Sequence, residues 1–288
     1  MPAARNPVAA AGSPQQGIRM FDRSLLNKLA LAAGVMLTAG PALAQRSAIF
    51  IHPDGMGASA WVGVRLLEVG PDGRLAIDRM PHTATYMGPM LDSVTASSNG
   101  GATSHAWGIR AKSDSYGSID GVAPAASRSG FKGSLMREAQ HAGKAVGIVN
   151  SSSLTEPGTG AFLASVASRD DESAIAAQIL DARPDVALGG GETFFLPRGV
   201  KGRHGTGVRT DGRNLIDEAR AAGYTVVFDR DELAATPAGT TRLLGLFAAD
   251  ETFNEANEQD LARRKLTAFQ PQAPRFDTMI KIAIDILA

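Results

Sequence analysis

The stretch Asp171-Glu-Ser-Ala-Ile-Ala-Ala-Gln-Ile-Leu-Asp-Ala-Arg-Pro-Asp-Val-Ala-Leu-Gly-Gly-Gly191 decides the fold class. From Asp171 to Ala182 the apolar residues Ile175, Ile179 and Leu180 recur at helical spacing, which predicts a helix with one buried face. Asp185-Val-Ala-Leu188 is then a short continuous apolar run ending in three glycines. That is the signature of a strand covered on both faces. The unit repeats along the chain. Strands are predicted at Ala48–Ile51, Thr83–Met87, Ala145–Val149, Tyr224–Phe228 and Leu243–Phe247. Helices are predicted at Gly130–Ala142, Arg213–Ala222, closed by Gly223, and Phe276–Ala288. Alternation of this kind implies an α/β fold, a mostly parallel sheet flanked by helices. In such sheets ligands gather at the carboxyl ends of the strands. The Gly-rich, basic segment from Arg198 to Arg213 reads as a surface loop.

Composition narrows the function. The 288 residues are 44% hydrophobic, and Lys+Arg and Asp+Glu stand at 29 each. That balance gives no electrostatic case for nucleic acid or an anionic membrane. Aromatic residues are too few for a base-stacking or sugar-stacking platform, and the absence of cysteine excludes disulfides and thiolate metal ligands. Met20 to Lys28 carries a short charged start, Leu29–Gly40 an apolar run, and Ala42-Leu43-Ala44 a small-x-small cleavage pattern. The apolar run falls short of the ~20 residues a membrane span needs. Residues 1–44 therefore read as an upstream lead and a signal peptide over 20–44, with periplasmic or secreted localisation and no stable membrane anchor; 45–288 form the domain.

Three segments carry chemistry. In Ile49-Phe-Ile-His-Pro-Asp54-Gly-Met-Gly57 an apolar run delivers Asp54 to two glycines. A carboxylate so placed can hold a divalent cation, and it can equally be a turn. Val94-Thr-Ala-Ser97-Ser98-Asn-Gly-Gly-Ala-Thr-Ser-His-Ala-Trp-Gly108 is dense in hydroxyls ahead of a helix. A serine there can sit beside a bound anion and attack phosphorus, or simply cap the helix. In Asn150-Ser-Ser-Ser-Leu-Thr-Glu156-Pro-Gly-Thr159 and on to Arg169, an acid follows a strand and an arginine stands 13 residues later. Arg169 could fork onto a phosphate or pair with Asp170 or Asp171.

In order, and across nearly all of residues 47–288, these segments resemble the alkaline phosphatase family. Gly117-Ser-Ile-Asp120, Asp181–Gly191 and Leu244-Gly-Leu-Phe-Ala248 match further family landmarks. The resemblance implies phosphomonoester hydrolysis by a serine nucleophile, with two zinc ions and one magnesium, and a homodimer for a full-length chain. It assigns metal-ligand roles to Asp54, Glu156 and Thr159 and phosphate binding to Arg169. Counting back from the helix makes Ser98 the nucleophile, and counting forward from Val94-Thr95 makes it Ser97; Ser98 is preferred and both stay open. The family's Asp-Ser at the nucleophile reads Ala96-Ser97-Ser98 here, and its Asp-x-Thr magnesium pair reads Glu156-Pro-Gly-Thr159, which leaves the hydroxyl ligand open. The family's later ligands, an acid, an Asp-x-x-x-His pair, an Asp-His dipeptide and a further histidine, have no match; Asp78-Arg-Met-Pro-His82 fits the spacing but falls in an early connecting segment. The expectation is therefore a fold incomplete at the C-terminus, a catalytically incompetent fragment as one alternative and a related phosphodiesterase as another.

Overall fold

The computed structural model describes residues 47–288 apart from 85, 125 and 255. The chain divides into two units, 1–50 and 51–288. Of the first, only 47–50 are described, in irregular, exposed backbone; the expected signal peptide lies outside the described residues.

In the second unit, strands β1 (Gly147–Ser153), β2 (Val186–Gly190), β3 (Thr225–Val227) and β4 (Leu243–Leu246) form a sheet in the order β1-β2-β4-β3. Every pairing is parallel, with Ile148 opposite Ala187, Ala187 opposite Leu244 and Leu244 opposite Val226. The helices are α1 (Ala58–Glu68), α2 (Ser98–Trp107), α3 (Leu135–His141), α4 (Pro157–Gly160), α5 (Glu172–Asp181), α6 (Leu215–Ala221), α7 (Arg230–Ala234), α8 (Glu258–Arg264) and α9 (Phe276–Leu287).

Strand pleating sends alternate side chains to opposite faces, and the core divides accordingly. Ile148, Ala187 and Leu244 pack with Ile175, Ile179 and Leu180 of α5 and with Leu215, Ile216 and Ala219 of α6. Val186, Leu188, Val227 and Leu243 pack on the other side with Leu233 of α7 and Met279 and Ala283 of α9. The result is helix, sheet, helix. Ile175, Ile179, Leu188 and Leu243 are essentially inaccessible, and burial of each stabilises the fold by about 1.5–3 kcal/mol. Helix α5 starts where the Asp171 carboxylate accepts from Ala174 N. It stops before Arg183, which takes a left-handed φ of 53° ahead of Pro184, a residue that disfavours helix in its predecessor.

Two predicted strands are absent. Ala48–Ile51 and the described residues of Thr83–Met87 are irregular, and Ile49, Phe50, Ile51 and Met87 are exposed. An apolar run becomes a strand only where a neighbour takes up its backbone hydrogen bonds, and the four strands pair among themselves. The segment Arg198–Arg213 also departs from a plain surface loop. Arg209 is 2% exposed and donates to the carbonyls of Ser173 and Phe194 and to the Asp211 carboxylate, tying the segment to α5. Helices α1, α4, α7 and α8 had no clear apolar stripe to announce them; α1 and α8 bury no residue.

Candidate functional site

The carboxyl ends of β1, β2 and β4 converge. Gly190 lies so close to the backbone of Asp250 that any Cβ would collide with that carbonyl, so the glycine run seen in the sequence lets two strand ends meet. Ser152 Oγ donates to Glu251 at 3.2 Å, and Thr252 Oγ1 to the Ser151 carbonyl. The segment after β4 is thereby fastened to the end of β1.

Glu156 follows β1 and precedes α4. Arg169 Nη2 bonds both of its carboxylate oxygens at 2.8 Å. The sequence offered Asp170 or Asp171 as partners for Arg169; the structure selects Glu156, the expected metal ligand. Both side chains remain reachable, 42% and 27% exposed. The Thr159 hydroxyl accepts from Asn150 Nδ2 and faces the carbonyls of Leu154 and Glu156.

Around this pair stand acids that the sequence reading did not single out. Glu172, at the start of α5, has its carboxyl pushed up to about 7, first by burial and then by the charges of Asp250 and Glu156, with Arg169 offsetting part of the effect. Burial also raises Asp250. Tyr116, fully buried, donates to the Thr155 carbonyl, and burial, then Glu156, lifts its phenol well above the usual range. The strand-end rule for parallel sheets was the available signal for Asp250, which lies just past β4.

Helix α2 carries the hydroxyl cluster. Ser97 is its cap: Oγ accepts from Gly100 N at 3.0 Å and donates to the Ser113 carbonyl. Ser98 is the first helical residue, half-buried, and its hydroxyl has no hydrogen-bond partner among the described residues. Thr103 is buried and engaged, donating to the Ser115 carbonyl and accepting from Gly117 N. Beside Ser98, Asn99 Oδ1 is buried without a partner. The ten-residue helix presents free N–H groups and a positive dipole end at Ser98, which favours an anion there. Helix α2 packs against α4, so the elements carrying Ser98 and Glu156 are neighbours.

Asp54 sits exposed in a turn closed by Met56 N and the Pro53 carbonyl. Two residues before it, the His52 ring meets His105 of α2 edge-on at 5.1 Å, and Tyr86 lies 5.2 Å from His105. Burial, then the neighbouring His52, depresses the His105 imidazole. Asp78 is held by Arg65 and caps Leu75 N, a structural role in keeping with its early place in the chain. The metal donors do not assemble: among the described residues no three His, Asp or Glu side chains come together as a group able to hold an ion. Glu156 is neutralised by Arg169 and Thr159 is engaged locally, so these residues as arranged do not fit a complete metal centre.

A family model described as alkaline phosphatase matches residues 45–288. The streptomycin-6-phosphate phosphatase of Streptomyces griseus is 32% identical over 235 residues, 73% of this chain and 49% of that protein. The crystal structure of Thermus thermophilus alkaline phosphatase superposes with a TM-score of 0.54 at 27% identity, over 69% of this chain and 37% of its own. A mutant of TAB5 alkaline phosphatase, solved with Mg bound in the M3 site, shares the fold at a TM-score of 0.57 and 19% identity, over 81% of this chain and 58% of its own. The chain spans about half the length of the curated relatives it matches.

Proposed function

The chain belongs to the alkaline phosphatase family, and on that premise we propose that it serves phosphomonoester hydrolysis, with Ser98 as nucleophile and Arg169 as the phosphate-binding residue. The observation that carries the nucleophile assignment is the division of labour at the start of α2. Ser97 is engaged on both sides, as cap and as donor to Ser113, whereas the Ser98 hydroxyl is uncommitted at the helix N-terminus. In this reading the ester phosphate lies against the free N–H groups of α2 and accepts from Arg169. Ser98 Oγ bonds to phosphorus as the P–O bond to the alcohol breaks, the serine proton passing to the departing alcohol oxygen; water then displaces the serine, one of its protons returning to Oγ, and releases phosphate.

Zinc and magnesium belong to the same proposal, with Asp54, Glu156 and Thr159 as this chain's donors. Ser98 and Arg169 do the bond-making and the anion binding, and among the described residues the metal donors do not gather into a centre. Cleavage before Gln45, export to the periplasm or medium, and homodimer assembly of a full-length chain complete the reading. They are supported by the pattern of residues 20–44 and by family membership; among the described residues no helix is long and apolar enough to cross a membrane.

The ungathered donor set favours a second reading, in which the chain binds phosphate esters without turning them over. One experiment separates the two. The chain is mixed with p-nitrophenyl phosphate, zinc and magnesium, p-nitrophenol is followed, and samples are quenched in acid for peptide mass analysis. Hydrolysis with phosphate trapped on Ser98, lost in Ser98→Ala and kept in Ser97→Ala, supports the first reading. Phosphate on Ser97 or Thr95 refutes the assignment of Ser98, and p-nitrophenol release no faster than in Ser98→Ala selects the second reading.

A further inference from the structure

At the far end of α2 from Ser98 lies a pocket of about 530 Å³. Trp107 is nine residues beyond Ser98, so roughly 13–14 Å along the axis at 1.5 Å per residue. The pocket is an open cleft lined by Trp107, the turn through Phe131 and Lys132, Arg137 and His141 of α3, and Arg183 just past the end of α5. Its volume suits a small organic molecule. Three of its side chains are cations, and no aspartate or glutamate lines it. Arg137 is anchored, donating to Gln140 Oε1 and to the Ala182 carbonyl through Nη1, which leaves the rest of its guanidinium uncommitted. Lys132 and Arg183 make no ion pair within the described residues. In a chain of balanced charge, three cations without a facing acid form an unneutralised site.

One further observation points the same way. Arg183 holds a φ of 53° at the position after the helix cap, where glycine sits without strain. An arginine kept in that conformation costs about 1 kcal/mol over glycine, and its guanidinium is what glycine could not supply. Phe131, packed at 5.4 Å on His141, and Trp107 give the pocket apolar walls.

We propose that this pocket is a second, non-catalytic site that binds a small organic anion, a flat apolar body bearing a carboxylate or phosphate, apart from the Ser98–Arg169 site. Charge-assisted bonds from Lys132, Arg137 and Arg183 hold the anionic head, and Trp107 and Phe131 cover the body.

The test uses the full chain carrying Trp61→Phe, which leaves Trp107 as the single tryptophan. It is titrated with 4-nitrobenzoate, a fluorescence quencher with the required head and body. The expected result is saturable quenching that the neutral 4-nitrobenzamide does not reproduce. Lys132→Ala with Arg183→Gly should weaken it at least tenfold, the glycine keeping the backbone comfortable so that the fold survives. Arg169→Ala should leave it unchanged. Equal quenching by the amide, indifference to the Lys132/Arg183 pair, or loss of quenching in Arg169→Ala would each overturn the proposal.

Discussion

Replacing Glu172 by glutamine should stabilise the protein at alkaline pH and do nothing in acid. The Glu172 carboxyl titrates near 4.5 when unfolded and at about 7 in the fold, raised by burial and then by Asp250 and Glu156. Between those values the native state holds a proton that the unfolded state has released, so stability falls as pH rises through this window. The favourable contribution is complete below about pH 4.5 and gone above about pH 7. At 1.36 kcal/mol per pH unit the rise corresponds to about 3 kcal/mol. The carboxyl is only half-buried, and solvent screening reduces the cost to about 1–2 kcal/mol. Glutamine keeps the shape and never ionises, so Glu172→Gln should gain about 1–2 kcal/mol at pH 8.5 and nothing at pH 4. Urea unfolding followed by tryptophan fluorescence, with chelator present, measures both. An equal effect at the two pH values, or a loss at pH 8.5, would refute the reasoning, the latter by showing that the ionised carboxylate is stabilising where it stands.

Glu156→Gln should tighten the binding of inorganic phosphate roughly two- to fivefold, because it releases Arg169 from a partly exposed ion pair worth about 0.5–1 kcal/mol; weaker binding in a calorimetric titration would instead make Glu156 a positioning partner of Arg169. Ser97→Ala removes the α2 cap and should cost about 1 kcal/mol in urea unfolding, and an unchanged midpoint would mean that the Gly100 N–H and the Ser113 carbonyl find other partners.

The sheet was legible wherever an apolar run had a neighbour to pair with. Val186–Gly190 and Leu243–Leu246 are buried along their length, and the uninterrupted apolar pattern announced it. Ala48–Ile51 carries the same pattern and forms no strand; hydrophobicity marks a segment that can be buried, while pairing depends on what lies beside it. Among the site residues, the sequence could nominate Glu156 and Arg169 separately, but a bond across 13 residues of chain depends on how α4 and the following turn fold back. Ser97 and Ser98 were indistinguishable as residue types. Their hydrogen bonds separate them, because a cap hydroxyl is engaged by the helix it starts. The segment Arg198–Arg213 is largely exposed, as its composition suggests, but Arg209 within it is buried, and its bonds to the carbonyls of Ser173 and Phe194 explain that burial.

Phosphate binding by Arg169, the partner of Glu156, is tested most directly by a calorimetric titration of inorganic phosphate into the chain and its Arg169→Ala variant, which does not depend on turnover. A charge-assisted bond gains about 1.5–3 kcal/mol, less about 0.5–1 kcal/mol for the pair with Glu156 that must be given up. The net is about 1–2 kcal/mol, so Arg169→Ala should weaken phosphate binding roughly five- to thirtyfold. Saturable binding of equal strength in both proteins would contradict the account, since phosphate would then be held without the side chain assigned to it.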